Sequence, residues 1–119
     1  MTIETRESTD PNVTLVKISG EMDIGEGGVD QLRDTLDQLV ESGARNVVLD
    51  LSDATFIVSR GFGQMLVALA RLRTRRGDLR VAGARGSVWN SARTVGLDNI
   101  MRFYPDVEEA VTSFGDAAG

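Results

Sequence analysis

Asn46-Val47-Val48-Leu49-Asp50-Leu51, followed by Phe56-Ile57-Val58-Ser59-Arg60-Gly61-Phe62-Gly63, decides the architecture of this 119-residue chain. The first run is short and mostly apolar, which suits a strand buried on both faces of a sheet. The second carries that apolar character to Val58 and then turns into a helix start. Ser59 is placed as the N-cap, its hydroxyl accepting from backbone N–H groups of the first turn. The helix that follows has the clearest periodicity in the chain, with Phe62, Met65, Leu66, Leu69 and Leu72 on one face and Gly77 as its stop. Two glycines in its first turn, Gly61 and Gly63, each cost roughly 1 kcal/mol relative to alanine. Either a neighbouring strand or a partner surface is therefore expected to approach the backbone there.

Working outward, Thr14–Ser19 (TLVKIS) reads as a strand ended by Gly20, and residues 3–8 can pair with it across the Asp10-Pro11-Asn12 turn. A glycine-rich connector, Gly25–Gly28, leads to Val29, Leu32, Leu36, Leu39 and Val40, which share one helical face. On the other side, Leu79–Ala82 reads as a strand and Ser87–Val95 as a helix capped by Gly96. Ile100–Phe103 is expected to be a short strand, and a last helix is expected from Pro105, with Asp106, Glu108 and Glu109 near its positive end. Strands alternating with helices imply an α/β domain with a mixed sheet and crossover helices. One domain fills residues 1–119, with its core in about 12–114 and the ends, roughly 1–2 and 115–119, loose.

Composition narrows the function. The net charge of -5 disfavours direct nucleic-acid binding, which needs an excess of cations. With no cysteine and no histidine, disulfides, thiol nucleophiles, His-based triads and zinc sites built on those residues are excluded. No ligand-loop pattern supports a carboxylate metal site, so no metal and no cofactor is expected. Nor is there a coherent acid–base pair, and an enzyme is not expected. The polar N-terminus does not read as a signal peptide, and no apolar run approaches the roughly 20 residues of a membrane span. The expected location is the cytoplasm.

Four further features have two readings each. Ser19-Gly20-Glu21-Met22-Asp23 is either a polar contact site beside the Ser59 loop or a solvated turn. Arg71-Leu72-Arg73-Thr74-Arg75-Arg76 either meets an anionic partner or complements the dipole at a helix C-terminus, and the acidic balance of the chain favours the second. Trp89 either anchors a partner or covers the sheet. Gly25-Glu26-Gly27-Gly28 lacks the lysine and the preceding buried strand of a phosphate-binding loop, and that reading is rejected.

The ordered set Ile18-Ser19-Gly20-Glu21-Met22-Asp23, Val47-Val48-Leu49-Asp50-Leu51-Ser52, Ser59-Arg60-Gly61-Phe62-Gly63, Val81-Ala82-Gly83, Thr94-Val95-Gly96-Leu97 and Tyr104-Pro105-Asp106-Val107-Glu108-Glu109-Ala110 resembles the STAS domain of anti-sigma factor antagonists. The resemblance implies a four- or five-stranded mixed sheet with about four helices largely on one face. It implies a protein that binds an anti-sigma factor, often a serine kinase of the GHKL type, and is inactivated when that kinase phosphorylates a serine at the start of the second helix. A phosphatase reverses the step. The serine matches Ser59, and the implied partner surface includes Asp23, Arg60, Gly61 and Phe62. The usual Asp-Ser-Ser-Gly motif reads Val58-Ser59-Arg60-Gly61 here, so its acidic residue and second serine are missing. The competing expectation is a non-phosphorylated scaffold, as in stressosome components or lipid-transport ABC complexes. Either is compatible with a dimer.

Overall fold

The computed structural model describes residues 1–25 and 27–116. Its elements run β1 (Thr2–Glu7), β2 (Val13–Met22), α1 (Gly28–Glu41), β3 (Asn46–Ile57), α2 (Ser59–Thr74), β4 (Asp78–Ala82), α3 (Gly86–Thr94), a 3-10 turn (Leu97–Asn99), β5 (Phe103–Tyr104) and α4 (Val107–Asp116). The five strands lie in the sheet in sequence order. β1 pairs antiparallel with β2, and every later pair is parallel. This is the expected mixed sheet, and each parallel pair is joined by a crossover through a helix.

The central strand is central because of its residues. Val47, Val48 and Leu49 alternate in direction yet are all fully buried, so both faces of β3 are covered. On one face, Val16, Ile18, Val47, Leu49, Leu51, Leu79 and Val81 meet the apolar sides of α1, α2 and α3. On the other, Val13, Val48 and Ala82 meet Ala110 and Val111 of α4. Three helices on one face and one on the other is the layering the resemblance implies. Each fully buried leucine or isoleucine contributes roughly 1.5–3 kcal/mol.

Among the described residues, Arg80 is the one charged residue buried in this core. Its Nε donates to Asp78 Oδ2 at 2.9 Å, its Nη1 donates to Ser113 Oγ at 2.7 Å, and its guanidinium lies 4.0 Å from the centre of the Phe114 ring. A charge can be held there because Asp78 pairs with it and accepts from Nε, while Ser113 accepts from Nη1. Asp78 Oδ1 also accepts from Arg73 Nε at 3.0 Å.

Several boundaries differ from the sequence reading. Gly20 does not end the second strand: β2 runs through it, at φ 86° beside a register shift, to Met22, because Glu21 and Met22 pair with Phe56 and Ile57 of a β3 that extends past Leu51. The expected strand at Ile100–Phe103 begins only at Phe103, because the chain first closes a tight turn in which the Ile100 amide donates to Leu97 O at 3.0 Å. α4 starts at Val107 instead of Pro105, capped by Asp106, whose Oδ1 accepts from the Glu109 amide at 2.9 Å. The N-terminus is not loose: Thr2 pairs with Ser19 and Met1 packs on the main core. Glu26 of the glycine-rich connector and residues 117–119 of the C-terminal end lie outside the described residues, and Gly28 already belongs to α1.

The arginine run resolves into named contacts at its first half. Arg71 Nη1 donates to Asp37 of α1 at 2.6 Å, and Arg73 bridges Asp78 and the Ile100 carbonyl. Trp89 covers the sheet edge, its ring 5.3 Å from that of Phe103 in an edge-to-face arrangement. At the far side of the sheet, Lys17 Nζ lies 2.8 Å from Asp53 Oδ2, and this hydrogen bond, with the charge behind it, holds the Asp53 carboxyl below its ordinary value.

Candidate functional site

The loops that follow β2, β3 and β4 all emerge at the carboxyl ends of parallel strands, the edge where open α/β sheets place their binding sites. Two of these loops are tied together at the backbone. The Val58 amide donates to Met22 O at 2.9 Å, so β3 stays paired with β2 until the residue before Ser59. This pairing shifts the helix boundary. Val58, with an extended backbone, is the N-cap of α2, and Ser59 occupies the first helical position. The expected capping by the Ser59 hydroxyl is therefore corrected: no side-chain hydrogen bond caps this helix.

The consequence is an exposed, uncommitted hydroxyl. Ser59 and Arg60 are both exposed. The Gly61 amide donates to Val58 O at 2.8 Å, whereas the amides of Ser59 and Arg60 have no acceptor among the described residues. Free amides and the positive end of a 16-residue helix make this turn favourable for negative charge.

Asp23 begins the β2–α1 loop one residue past Met22. Its Oδ1 accepts from the Gly25 amide at 3.0 Å, which makes it the pivot of a turn adjoining the start of α2. Gly61 and Phe62, expected at the partner surface, face the other way. Phe62 is 3% exposed in the main core, and a Cβ on Gly61 would lie 2.7 Å from Met22 Sδ and 2.8 Å from Ile57 Cγ2. The approach anticipated at Gly61 is thus the neighbouring strand, and both residues set the depth of α2 without presenting a surface. Gly63 has no atom within 4 Å of such a Cβ and lies open. Gly61→Ala is expected to lower the unfolding free energy by about 1–3 kcal/mol, read by urea denaturation, because Ile57 is β-branched and yields poorly.

Sequence reasoning missed the apolar part of this surface. Ile24 is 71% exposed, Phe56 40% and Val67 53%. Val67 lies eight residues after Ser59 with Gly63 midway, so the three share a stripe of α2. Phe56 pairs with Glu21 in register, next to the end of β2. The available signal was Val67, which falls outside the helix's apolar face. Among the described residues no cluster of three or more acidic side chains is arranged to hold a metal ion, and no helix is long and apolar enough to cross a membrane.

The family model of the STAS domain matches residues 3–110. The chain belongs to the STAS domain family. Solved structures agree with this assignment at the level of fold. An anti-sigma factor antagonist from Mycobacterium paratuberculosis is 23% identical with a TM-score of 0.81, covering 94% of this chain and 93% of that one. The Bacillus cell fate determinant SpoIIAA in its phosphorylated form is 18% identical with a TM-score of 0.73, covering 95% and 99%. A variant of RsbS from Moorella thermoacetica is 15% identical with a TM-score of 0.74, covering 99% and 98%. The STAS domain described here thus has the anti-sigma factor antagonist-like fold over nearly its whole length.

Proposed function

We propose that this STAS domain is a cytoplasmic switch that binds a regulatory protein, an anti-sigma factor or a serine kinase of the GHKL type, through the surface around Ser59. Phosphorylation of Ser59 turns binding off, and a phosphatase restores it. The observation that carries the reading is the Ser59 hydroxyl, exposed at the first position of α2 beside two amides unpaired among the described residues, with exposed Val67 two turns further along α2 and exposed Ile24 in the loop after β2. The apolar residues suit a contact that excludes water, and Asp23 and Arg60 supply polar contacts at its margin. A phosphate adds about -1.5 to -2 charges at the centre of that contact. It is tolerated in the free protein, where the helix end and Arg60 receive it. It opposes docking, where a partner has to bury it.

The test is incubation with a cognate kinase and ATP, with the site mapped by mass spectrometry. A single phosphate on Ser59, absent in Ser59→Ala, is expected. Modification elsewhere, or none by a kinase active on another substrate, contradicts the proposal.

A second reading is a constitutive scaffold or complex subunit that uses the same surface without modification. Val58 and Arg60 favour it, because they stand where the antagonist motif has an acidic residue and a second serine. Partner affinities that are equal for wild type, Ser59→Ala and Ser59→Asp would select the scaffold.

A further inference from the structure

At the opposite end of the sheet, where β3 and β4 begin, sits a depression of about 490 Å³. Among the described residues, Arg73, Arg76, Arg80 and Arg102 line it against a single carboxylate, Asp78. The surplus of three positive charges stands out in a chain whose net charge is -5. These arginines come from the end of α2, the turn after it, β4 and the segment before β5, so the fold assembles a cluster that the arginine run alone does not contain.

The depression has a rigid base. Arg80 is 4% exposed and held by Asp78, Ser113 and the Phe114 ring through Nε, Nη1 and the guanidinium face. Its Nη2 has no hydrogen-bond partner among the described residues. Asp78 offsets one of these charges, and its two oxygens are engaged by Arg73 and Arg80, not by Arg76 or Arg102. Arg76 and Arg102 form no ion pair among the described residues and are exposed. Arg76 also sits at φ 67°, the only non-glycine residue with a positive φ among the described residues. A backbone of that kind favours glycine or asparagine, so an arginine there is not explained by the turn. The helix dipole accounts for Arg71 and Arg73 and reaches Arg76, just past the C-cap Arg75, but not Arg102, which lies far from α2 in the sequence.

We propose that this depression binds a small, multiply charged anion of the pyrophosphate class. The recessed Arg80 contacts one phosphate through its free N–H, and Arg76 and Arg102 close over the other from the rim. Planar guanidinium groups are suited to phosphate oxygens, and a concave site of this size selects a free anion over a flat lipid surface. The site is independent of Ser59 and needs no protein partner.

The experiment is a titration of the whole protein with sodium pyrophosphate at low ionic strength, followed by backbone amide shifts. Saturable shifts are expected at Asn46, Gly77 and Arg102, weakening as salt is added. Arg102→Gln is expected to weaken binding about tenfold, since one charged hydrogen bond is lost. Arg76→Gly is expected to weaken it similarly while raising the melting temperature, because glycine relieves the positive φ. Weakening in that variant cannot then be a failure to fold. Arg93→Gln, an equal loss of charge on α3, is expected to leave binding unchanged. Absence of saturable shifts, equal affinity in Arg102→Gln, or a response confined to phosphatidylserine-containing vesicles would overturn the proposal.

Discussion

Replacing Gly77 by alanine is expected to lower the unfolding free energy by about 3 kcal/mol or more, a loss of roughly 10 °C or more in melting temperature. Gly77 links α2 to β4 and lies against the loop that feeds β3. A Cβ there would sit 1.7 Å from the Arg45 carbonyl oxygen and 2.5 Å from its carbon. Backbone cannot swing away as a flexible side chain does. Moreover, the same carbonyl accepts from the Asp78 amide at 3.0 Å, the bond that starts the β3–β4 pairing at Asn46 and Asp78. The methyl group therefore competes with the register of the two central strands. Gly63→Ala is the internal contrast: its Cβ meets nothing within 4 Å, so it should stabilise α2 by up to about 1 kcal/mol. Urea unfolding of both variants checks the pair, and a Gly77→Ala protein of wild-type stability would contradict the packing described.

Arg80→Ala is expected to cost about 3–5 kcal/mol, the usual result of removing one partner from a buried ion pair. The change deletes the hydrogen bond to Ser113 and the contact with Phe114, the two attachments of α4 beyond its apolar side. It also leaves Asp78, whose side chain is 14% exposed, with Arg73 alone. The damage should be local before it is global. Hydrogen exchange at amides of α4 is expected to accelerate more than exchange in β2 or β3. Uniform acceleration, or a loss under about 0.5 kcal/mol, would mean that α4 is held by Ala110 and Val111 without help from Arg80.

The fold was legible wherever periodicity was strong. Val47–Leu51 and the Phe62–Leu72 face could be read directly, because burial on two faces or on one leaves a distinct pattern. Boundaries failed where a tertiary bond decided them. Val58 keeps an extended backbone as the N-cap of α2 because Met22 accepts its amide, and nothing in residues 56–63 reveals that partner. Likewise Ile100 is spent on a turn and ends 47% exposed, although its side chain suits a strand. The candidate site was legible as a position and less so as a surface. Ser59 and Arg60 are outside as the resemblance implies, but Gly61 and Phe62 face inward since the first turn of the helix packs on Met22 and Ile57. Ile24, Phe56 and Val67 were hidden for the opposite reason, as apolar residues are assigned to a core by default. Arg102, far along the chain from Arg73 and Arg76, could not be joined to them without the sheet order.

The central claim is that a phosphate on the first residue of α2 and a docked regulatory protein exclude each other. Its most direct test is a side-by-side affinity measurement, with the cognate anti-sigma factor titrated against the unmodified chain and against the chain phosphorylated at Ser59. The expected result is at least about a hundredfold weaker binding of the phosphorylated form, in keeping with the 2–5 kcal/mol that an unpaired charge costs inside an interface. Equal affinities would contradict it and leave the fold as the part of the account that stands.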